Sequence, residues 1–190
     1  EMCRVLRNAI GHDFSGYKRS TLVRRVERRM HVLGIDTGRS YLNRIRTDTS
    51  ECEALFRDLL INVTRFFRDP DFFEVLRIRA IEPIVRNHKD DEDIRVWVPG
   101  CSSGEEAYTI AMLFAEACRE AERPFHVQIF ATDIDEQMLQ VAREGSYPVS
   151  MLGDIPELLR ERYTVPHADR FSVSGQIRDA VRFSSHSVVK

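Results

Sequence analysis

The sequence lacks the features that mark membrane-spanning, secreted disulfide-rich and zinc-stabilised proteins. No apolar run approaches the roughly 20 residues that a membrane span needs, and no basic-then-apolar signal segment opens the chain. The six histidines show no metal-ligand spacing. Four cysteines lie far apart without a CxxC pair, which predicts neither a disulfide framework nor a metal site and favours a reducing, cytoplasmic compartment.

The composition is that of a globular protein. The chain has 190 residues, of which 43% are hydrophobic and 31% are charged, and its mean hydropathy is −0.33. These values exclude a disordered or collagen-like chain. The length corresponds to one ordinary domain or two small ones.

Charge is distributed unevenly along the chain. Residues 1–46 contain eleven Lys and Arg against four Asp and Glu, which leaves seventeen basic and twenty-six acidic residues in the remainder. The basic end predicts an acidic partner, which charge alone leaves open between nucleic acid, a membrane surface and an acidic protein. Nucleic acid is disfavoured because the basic segment has no interleaved aromatic residues and no DNA-binding motif.

The first part of the chain has helical periodicity. Apolar residues at 22, 26, 30 and 33 form one stripe of a helix that we expect to end at Gly34. Further helices are predicted over 39–46, over 50–61 with Ser50 and Glu53 as a capping box, and over 70–81. Four arginines occupy the face opposite the stripe, and we call them the arginine face: Arg24, Arg25, Arg28 and Arg29.

The second part alternates strands and helices. Strands are predicted over 94–98, 127–131 and 180–183, with helices over 105–121, from 136 to about 143, and over 156–162. This order indicates a parallel α/β sheet. Trp97 is expected in the core between Val96 and Val98. Residues 171–173 and 176–178 suggest a small β hairpin within about 165–180.

Two features at the predicted strand ends indicate a ligand site. Gly100 and Gly104 flank a tight strand-to-helix turn, where backbone N–H groups point toward a ligand. Asp133 follows the next strand and is placed to accept the two hydroxyls of a ribose. The alternative is a plain tight turn with Asp133 as a helix cap.

The motif details narrow the ligand. GxGxxG and Gly-Lys-Ser/Thr are both absent, which argues against a dinucleotide or a phosphate loop. Glu105 and Glu106 at the helix start would repel a pyrophosphate and attract an ammonium group. A ribose joined to a cationic amino-acid moiety describes S-adenosyl-L-methionine.

Three segments also resemble one known family. Asn62–Asp69 (NVTRFFRD), Trp97–Ala111 (WVPGCSSGEEAYTIA) and Ala131–Asp135 (ATDID) are similar, in this order, to the chemoreceptor glutamate methyltransferases of the CheR family. The region from Gly11 to the arginine helix most resembles versions in fused methylesterase/methyltransferase sensor proteins. The resemblance implies an N-terminal helical substrate-docking domain, 1–75, and a Rossmann-like S-adenosylmethionine-dependent methyltransferase domain, 76–190, truncated after its third core strand.

The resemblance also implies roles for individual residues. Arg68 would hold the substrate carboxylate or close the site; its alternative is a surface ion pair with Asp69 or Asp71. Ser187 and Val188 stand where the family usually has Asn-Leu beside the adenine. The implied cofactor-binding set is Asn62, Thr64, Arg68, Gly100, Gly104, Glu105, Asp133, Ser187 and Val188.

The implied activity is O-methylation of glutamate side chains in chemoreceptors, with S-adenosyl-L-homocysteine as the product. The acidic receptor helices would dock on the arginine face. A glycine-rich insertion typical of members tethered to a receptor tail is absent from 164–176, so we expect no tether. We expect neither metal nor membrane insertion, but self-association through an uncovered sheet. The alternative function is a non-catalytic cofactor-sensing or scaffold module of a fused signalling protein.

Overall fold

A computed structural model describes residues 1–60, 62–89 and 92–188. The chain forms two compact units. The first contains the described residues up to Leu60 together with Ser187 and Val188, and the second covers Asn62–His186. The expected boundary at 75/76 therefore falls inside the second unit. The reason is that Phe66, Phe67 and Phe73 pack in the core of that unit.

The first unit is all helical in its described residues. Its helices are α1 (Met2–Ile10), α2 (Arg19–Leu33), α3 (Gly38–Thr47) and α4 (Thr49–Leu59). Three residues of the α2 stripe, at 22, 26 and 30, pack on a core that includes Leu6, Phe14, Tyr41 and Leu55. The fourth, Leu33 at the end of the helix, is 37% exposed, so the predicted stripe packs on the core only over its first three positions. Burial of this amphipathic face stabilises helices that are too short to persist alone.

Capping residues set the ends of these helices. Gly34 ends α2 with φ +64°, as the sequence predicts. Helix α4 begins one residue earlier than expected, because the carboxylate of Asp48 accepts the backbone N–H groups of Ser50 and Glu51. This Asp48 cap replaces the predicted Ser50 capping box. The helix ends at Leu59, and the predicted end at Ile61 lies outside the described residues.

The second unit opens with one interrupted helical segment. It comprises α5 (Pro70–Leu76), a π-helical turn (Arg77–Ile81) and α6 (Glu82–Asn87). The backbone N–H of Glu82 donates to the carbonyl of Arg77, five residues earlier. Pro83 has no N–H to donate, and the widened turn directly precedes it. The helix consequently continues past the predicted end at residue 81.

A parallel sheet forms the centre of the second unit, as the alternating pattern predicts. The order of elements is β1 (Ile94–Pro99), α7 (Glu105–Glu120), β2 (Val127–Asp133), α8 (Glu136–Glu144) and, later, β6 (Val181–Ser185). The strand order is β1-β2-β6, with Val98, Ala131 and Phe183 in register. The ends of these strands therefore bring residues that are distant in sequence to one edge.

One face of this sheet is covered and the other is open. Val98 and Ile129 are buried in the core with α7, whereas Trp97 is 57% exposed and Phe130 is 42% exposed on the opposite face. The prediction that Trp97 lies in the core is wrong. Side chains alternate across a strand, and none of the described elements of the second unit covers the face that carries Trp97.

A small antiparallel sheet follows α8. Its strands are β3 (Ser146–Pro148), β4 (Thr164–Pro166) and β5 (Arg170–Val173), in the order β3-β5-β4. A 3-10 turn (Val149–Asp154) and α9 (Glu157–Tyr163) connect β3 to β4. The predicted pairing of 171–173 with 176–178 is wrong, because α10 (Gly175–Asp179) occupies the second segment. Helix α10 buries Ile177 in the core, and β5 pairs instead with β3 and β4.

Across the described ranges, the helices are each too short or too polar to traverse a lipid bilayer.

Candidate functional site

The loop after β1, residues 100–104, has an unusual backbone, and we call it the glycine loop. Gly100, Ser102 and Gly104 have φ of +70°, +48° and +94°. The N–H groups of Gly100 and Cys101 both donate to the carbonyl of Thr132, at 2.7 and 3.0 Å. The loop is thus hydrogen-bonded to the end of β2. Ser102 is a residue other than glycine with a positive φ, a strained backbone conformation that recurs at functional sites.

Gly104 could not be replaced by a residue with a side chain without displacing its neighbours. A Cβ atom at this position would lie 2.9 Å from the Ala142 Cβ, 3.1 Å from the Phe183 Cζ and 3.2 Å from the Tyr147 hydroxyl. The positive φ adds a conformational cost for any residue other than glycine. Gly104 therefore lets the loop approach α8 and β6 closely.

Asp133 fastens the loop to the end of β2. One carboxylate oxygen accepts the Ser102 N–H at 2.7 Å, and the other accepts the Asp135 N–H at 2.9 Å. Each oxygen can accept a further hydrogen bond. Asp133 is half-buried, so its carboxylate is both oriented by the backbone and able to meet a hydroxyl-bearing ligand.

Asn62 reaches the same edge of the sheet from the segment before α5. Its amide nitrogen donates to Asp135 at 2.9 Å, and its amide oxygen lies 3.4 Å from the hydroxyl of Ser102. The other oxygen of Asp135 caps α8 by accepting the N–H groups of Gln137 and Met138. A connected polar network thus joins the glycine loop, β2 and the Asn62 segment.

Glu105 presents a buried carboxylate at the start of α7. Its side chain accepts hydrogen bonds from the hydroxyls of Ser103, at 2.7 and 2.9 Å, and Thr64, and the residue is 3% exposed. Burial raises the pKa of this carboxyl, and the hydrogen bonds offset the rise only in part. Among the described residues Glu105 has no ion-pair partner, so a cationic ligand group would favour its charged form.

Arg68 is exposed beside this network. Its guanidinium donates to the carbonyl of Val63 at 2.7 Å and interacts electrostatically with Glu106. The described residues include no ion pair of Arg68 with Asp69 or Asp71. Just before it, Phe67 has φ +46°, which allows Phe66 and Phe67 to be buried consecutively while Arg68 faces solvent.

Cys101 occupies the loop as a packing residue. It is 1% exposed, and burial raises the pKa of its thiol to about 12. A nucleophilic cysteine requires a thiolate. The site therefore offers no thiol nucleophile, in agreement with the interpretation of Cys101 from the sequence.

The structure groups Asn62, Thr64, Gly100, Gly104, Glu105 and Asp133 within the second unit, with Arg68 at its surface. Ser187 and Val188 belong to the first unit, where the Ser187 hydroxyl lies 3.4 Å from the His12 ring. The predicted adenine contacts of these two residues stay a prediction.

The arginine face is not uniform. Arg24 and Arg28 are exposed, Arg25 is half-buried, and Arg28 lies 4.0 Å from Asp58. Arg29 is different, because it forms a bidentate pair with the buried carboxylate of Glu51. Arg29 therefore fixes α2 to α4 and is not available to a partner.

Sequence reasoning missed three residues that hold the site together. Asp135 and Ser102 had a local signal, since Asp135 precedes a helix and Ser102 lies between two loop glycines. Tyr147 had none. Its hydroxyl donates to the Ser103 carbonyl at 2.7 Å across 44 positions of sequence, a contact that only the folded chain reveals.

Two family models match consecutive parts of the chain. The model described as "CheR methyltransferase, all-alpha domain" matches residues 1–60, and "CheR methyltransferase, SAM binding domain" matches residues 62–190.

Individual relatives are similar over nearly the whole chain. An uncharacterized 104.1 kDa protein of Rhodobacter capsulatus is 37% identical over 93% of this chain and 19% of its own length. The chemotaxis protein methyltransferase of Borreliella burgdorferi is 30% identical over 96% of this chain and 66% of its own length. The chemotaxis protein methyltransferase of Salmonella typhimurium is 31% identical over 100% of this chain and 65% of its own length. The chain thus spans between about a fifth and two thirds of the length of these relatives.

Proposed function

Because this chain belongs to the CheR methyltransferase family, with an S-adenosylmethionine-binding domain, we propose that its protein methylates glutamate side chains of chemoreceptors. The observation that carries the proposal is the presence of two carboxylates, Asp133 and Glu105, at the same end of the sheet. Asp133 is oriented by two backbone N–H groups, and Glu105 is buried without a cationic partner among the described residues. A ligand with hydroxyls at one end and an ammonium at the other would satisfy both.

These residues fit S-adenosylmethionine. The carboxylate of Asp133 would accept the ribose hydroxyls, and Glu105, with Thr64 and Ser103 holding it, would meet the ammonium of the methionine moiety. Asn62 would position Asp135 and Ser102 around the ligand rather than contribute charge. When bound, the cofactor supplies an electrophilic methyl group on a sulfonium.

The chain needs no general base for this chemistry. A substrate glutamate has an ordinary pKa of about 4.3, so its carboxylate is ionised at neutral pH. Methyl transfer to it removes charge, and water opposes the reaction by stabilising both ions. Alignment and exclusion of water are therefore the main requirements. Arg68, exposed beside Glu106, would orient the incoming carboxylate.

The receptor would dock through its acidic helices on Arg24, Arg25 and Arg28. The support is the excess of basic residues in 1–46 and the exposure of Arg24 and Arg28. Exposed arginines so close in sequence repel one another, and an acidic partner would relieve that repulsion. The absence of a glycine-rich insertion supports untethered recognition of the substrate.

Two further properties form part of the proposal. The chain would self-associate through the open sheet face around Trp97 and Phe130, because exposed apolar patches favour association. It would act in the cytoplasm, where its unpaired cysteines (Cys3, Cys52, Cys101 and Cys118) would remain reduced.

Calorimetry with S-adenosyl-L-homocysteine tests the cofactor site. The activity is tested by the transfer of labelled methyl groups to receptor helices, with a longer protein that contains this chain as the enzyme. We expect micromolar binding and base-labile methyl esters on receptor glutamates. Binding without transfer would indicate the cofactor-sensing alternative. Absence of both in the longer protein would overturn the proposal.

A further inference from the structure

We propose that the second unit contains an anion site, separate from the carboxylate network, that recognises phosphate-bearing small molecules. The site is a cavity of about 330 Å³ beside β6. Three arginines line it, together with Tyr108, Asp179, Val181 and Phe183: Arg143 from α8, Arg178 from α10 and Arg182 from β6. These arginines come from three different elements, so only the fold brings them together.

The charges of the cavity are poorly balanced from within. Arg143 is paired with Glu136 at 2.7 Å, but Arg178 and Arg182 have no ion-pair partner in the described part of the chain. Asp179 is the single acidic residue of the lining. This local excess of arginine contrasts with the rest of the sequence after residue 46, where acidic residues outnumber basic ones. Guanidinium groups on a shared cavity repel one another, and a bound anion would relieve this repulsion.

The cavity also has an apolar, aromatic wall. Phe183 is half-buried and supplies the accessible ring of this wall. Tyr108 donates its hydroxyl to the carbonyl of Ala142 at 2.7 Å and is fully buried, so it does not face a ligand itself. The ring of Phe183 packs edge-on against it with centroids 5.5 Å apart. The stem of Arg178 passes over Gly145, whose missing side chain leaves space for it. Guanidinium groups beside aromatic carbon suit a ligand that combines phosphate with a planar ring.

The size and chemistry select the ligand class. A volume of about 330 Å³ lies at the lower end of small-molecule sites, which suits a mononucleotide or pyrophosphate rather than a polymer. Arginine is the preferred residue for bidentate phosphate recognition. The network around Asp133 and Glu105 is acidic and would repel such a ligand, so the two sites differ in chemistry.

The cavity shares one residue with the surroundings of the glycine loop. Phe183 lines the cavity and also lies 3.1 Å from the point where a Cβ atom of Gly104 would be. Phe183 therefore lies between the cavity and Gly104, whereas the lining contains no residue of the network around Asp133 and Glu105.

The test is calorimetry with pyrophosphate, guanosine monophosphate and guanosine on this chain at low salt. Guanine compounds avoid competition for an adenosine site. We expect pyrophosphate or guanosine monophosphate to bind with Kd below about 1 mM, and Arg178→Ala/Arg182→Ala to weaken binding by at least about tenfold. The matched control is Arg95→Ala, which removes an exposed arginine from β1 of the same sheet. It should change affinity less than twofold.

Each outcome decides the inference. If pyrophosphate binds and guanosine monophosphate does not, the site recognises phosphate without a base. If guanosine monophosphate binds more tightly than pyrophosphate, the site recognises phosphate together with a planar ring. No binding of either at 10 mM, equal binding by all three proteins, or guanosine binding as tightly as its monophosphate would overturn it. Near-ultraviolet circular dichroism establishes that the double variant is folded. The anion site does not rest on the proposed methyl transfer, because its probes and variants leave the Asp133 network intact.

Discussion

Arg29 and Glu51 form a buried bidentate ion pair between α2 and α4. The guanidinium Nε lies 3.0 Å from Oε1 and Nη2 lies 2.6 Å from Oε2, while the Tyr41 hydroxyl donates to Oε1 at 2.7 Å. Burial opposes ionisation of Glu51, but Arg29 and Tyr41 outweigh it and lower the pKa of the carboxyl. The pair thus joins three helices of the first unit.

Replacing Glu51 with Gln should destabilise the first unit. The substitution leaves the charge of Arg29 in a site that is only 19% exposed at the side chain, and removing one partner of such a pair costs about 3 kcal/mol. Urea unfolding measures the change. Glu53→Gln is the matched control, because Glu53 is an exposed glutamate of the same helix and its replacement should cost less than about 1 kcal/mol. Equal losses in the two variants would contradict the assignment.

Replacing Asp133 with Asn should weaken binding of S-adenosyl-L-homocysteine by roughly 10- to 100-fold. The charge that strengthens hydrogen bonds to hydroxyls is lost, at a cost of about 1.5–3 kcal/mol. Calorimetry measures the affinity, and Asp169→Asn, in the exposed turn between β4 and β5, is the control. Because Asp133 also holds the loop, thermal unfolding should be measured in parallel. Unchanged affinity would refute the placement of the ribose.

Gly104→Ala should both destabilise the second unit and abolish cofactor binding. The added methyl would meet the side chain of Ala142 at 2.9 Å in a backbone conformation that alanine avoids. Strain and overpacking together should cost about 2–4 kcal/mol. Gly153→Ala is the matched control, since nothing lies within 4 Å of its added Cβ. Thermal unfolding and calorimetry should show normal behaviour for Gly153→Ala only.

Replacing Arg24, Arg25 and Arg28 with Ala in the longer protein should raise the KM for receptor helices while leaving cofactor affinity unchanged. Exposed charges are screened within about 10 Å at 0.1 M ionic strength, so the difference from the unmodified protein should shrink as salt increases. Arg29 is retained because it pairs with Glu51. Normal methylation across the salt series would mean that these arginines form only solvated surface.

Glu116 should make part of the stability of the second unit dependent on pH. Burial opposes its ionisation, but hydrogen bonds from Arg119, Tyr163 and Arg162 outweigh burial and lower the pKa to about 2, from 4.5 in an unfolded chain. The folded state thus favours the ionised form. The resulting stabilisation is complete above about pH 4.5 and is lost as the pH falls toward 2.

Urea unfolding of the native chain and of Glu116→Gln should show this dependence. The difference in unfolding free energy between the two proteins should be larger at pH 6.5 than at pH 3. A constant difference would show that Glu116 is not stabilised as an anion. Glu157→Gln, an exposed glutamate on α9, should give no such trend.

Local sequence patterns were enough to predict the helical first part, the parallel α/β second part and the candidate residues at the strand ends. These features depend on local periodicity and on motifs within short segments, such as Gly100–Gly104 and the Asp133 segment. The packing of the folded chain established which residues share a site or a face. It joined Asn62 to Asp135, gave Arg29 a buried partner and left Trp97 on an open face. It also turned 175–179 into a helix and gathered three arginines beside β6. The physical reason is that burial and pairing depend on which distant segments pack together, and a local pattern does not specify those neighbours.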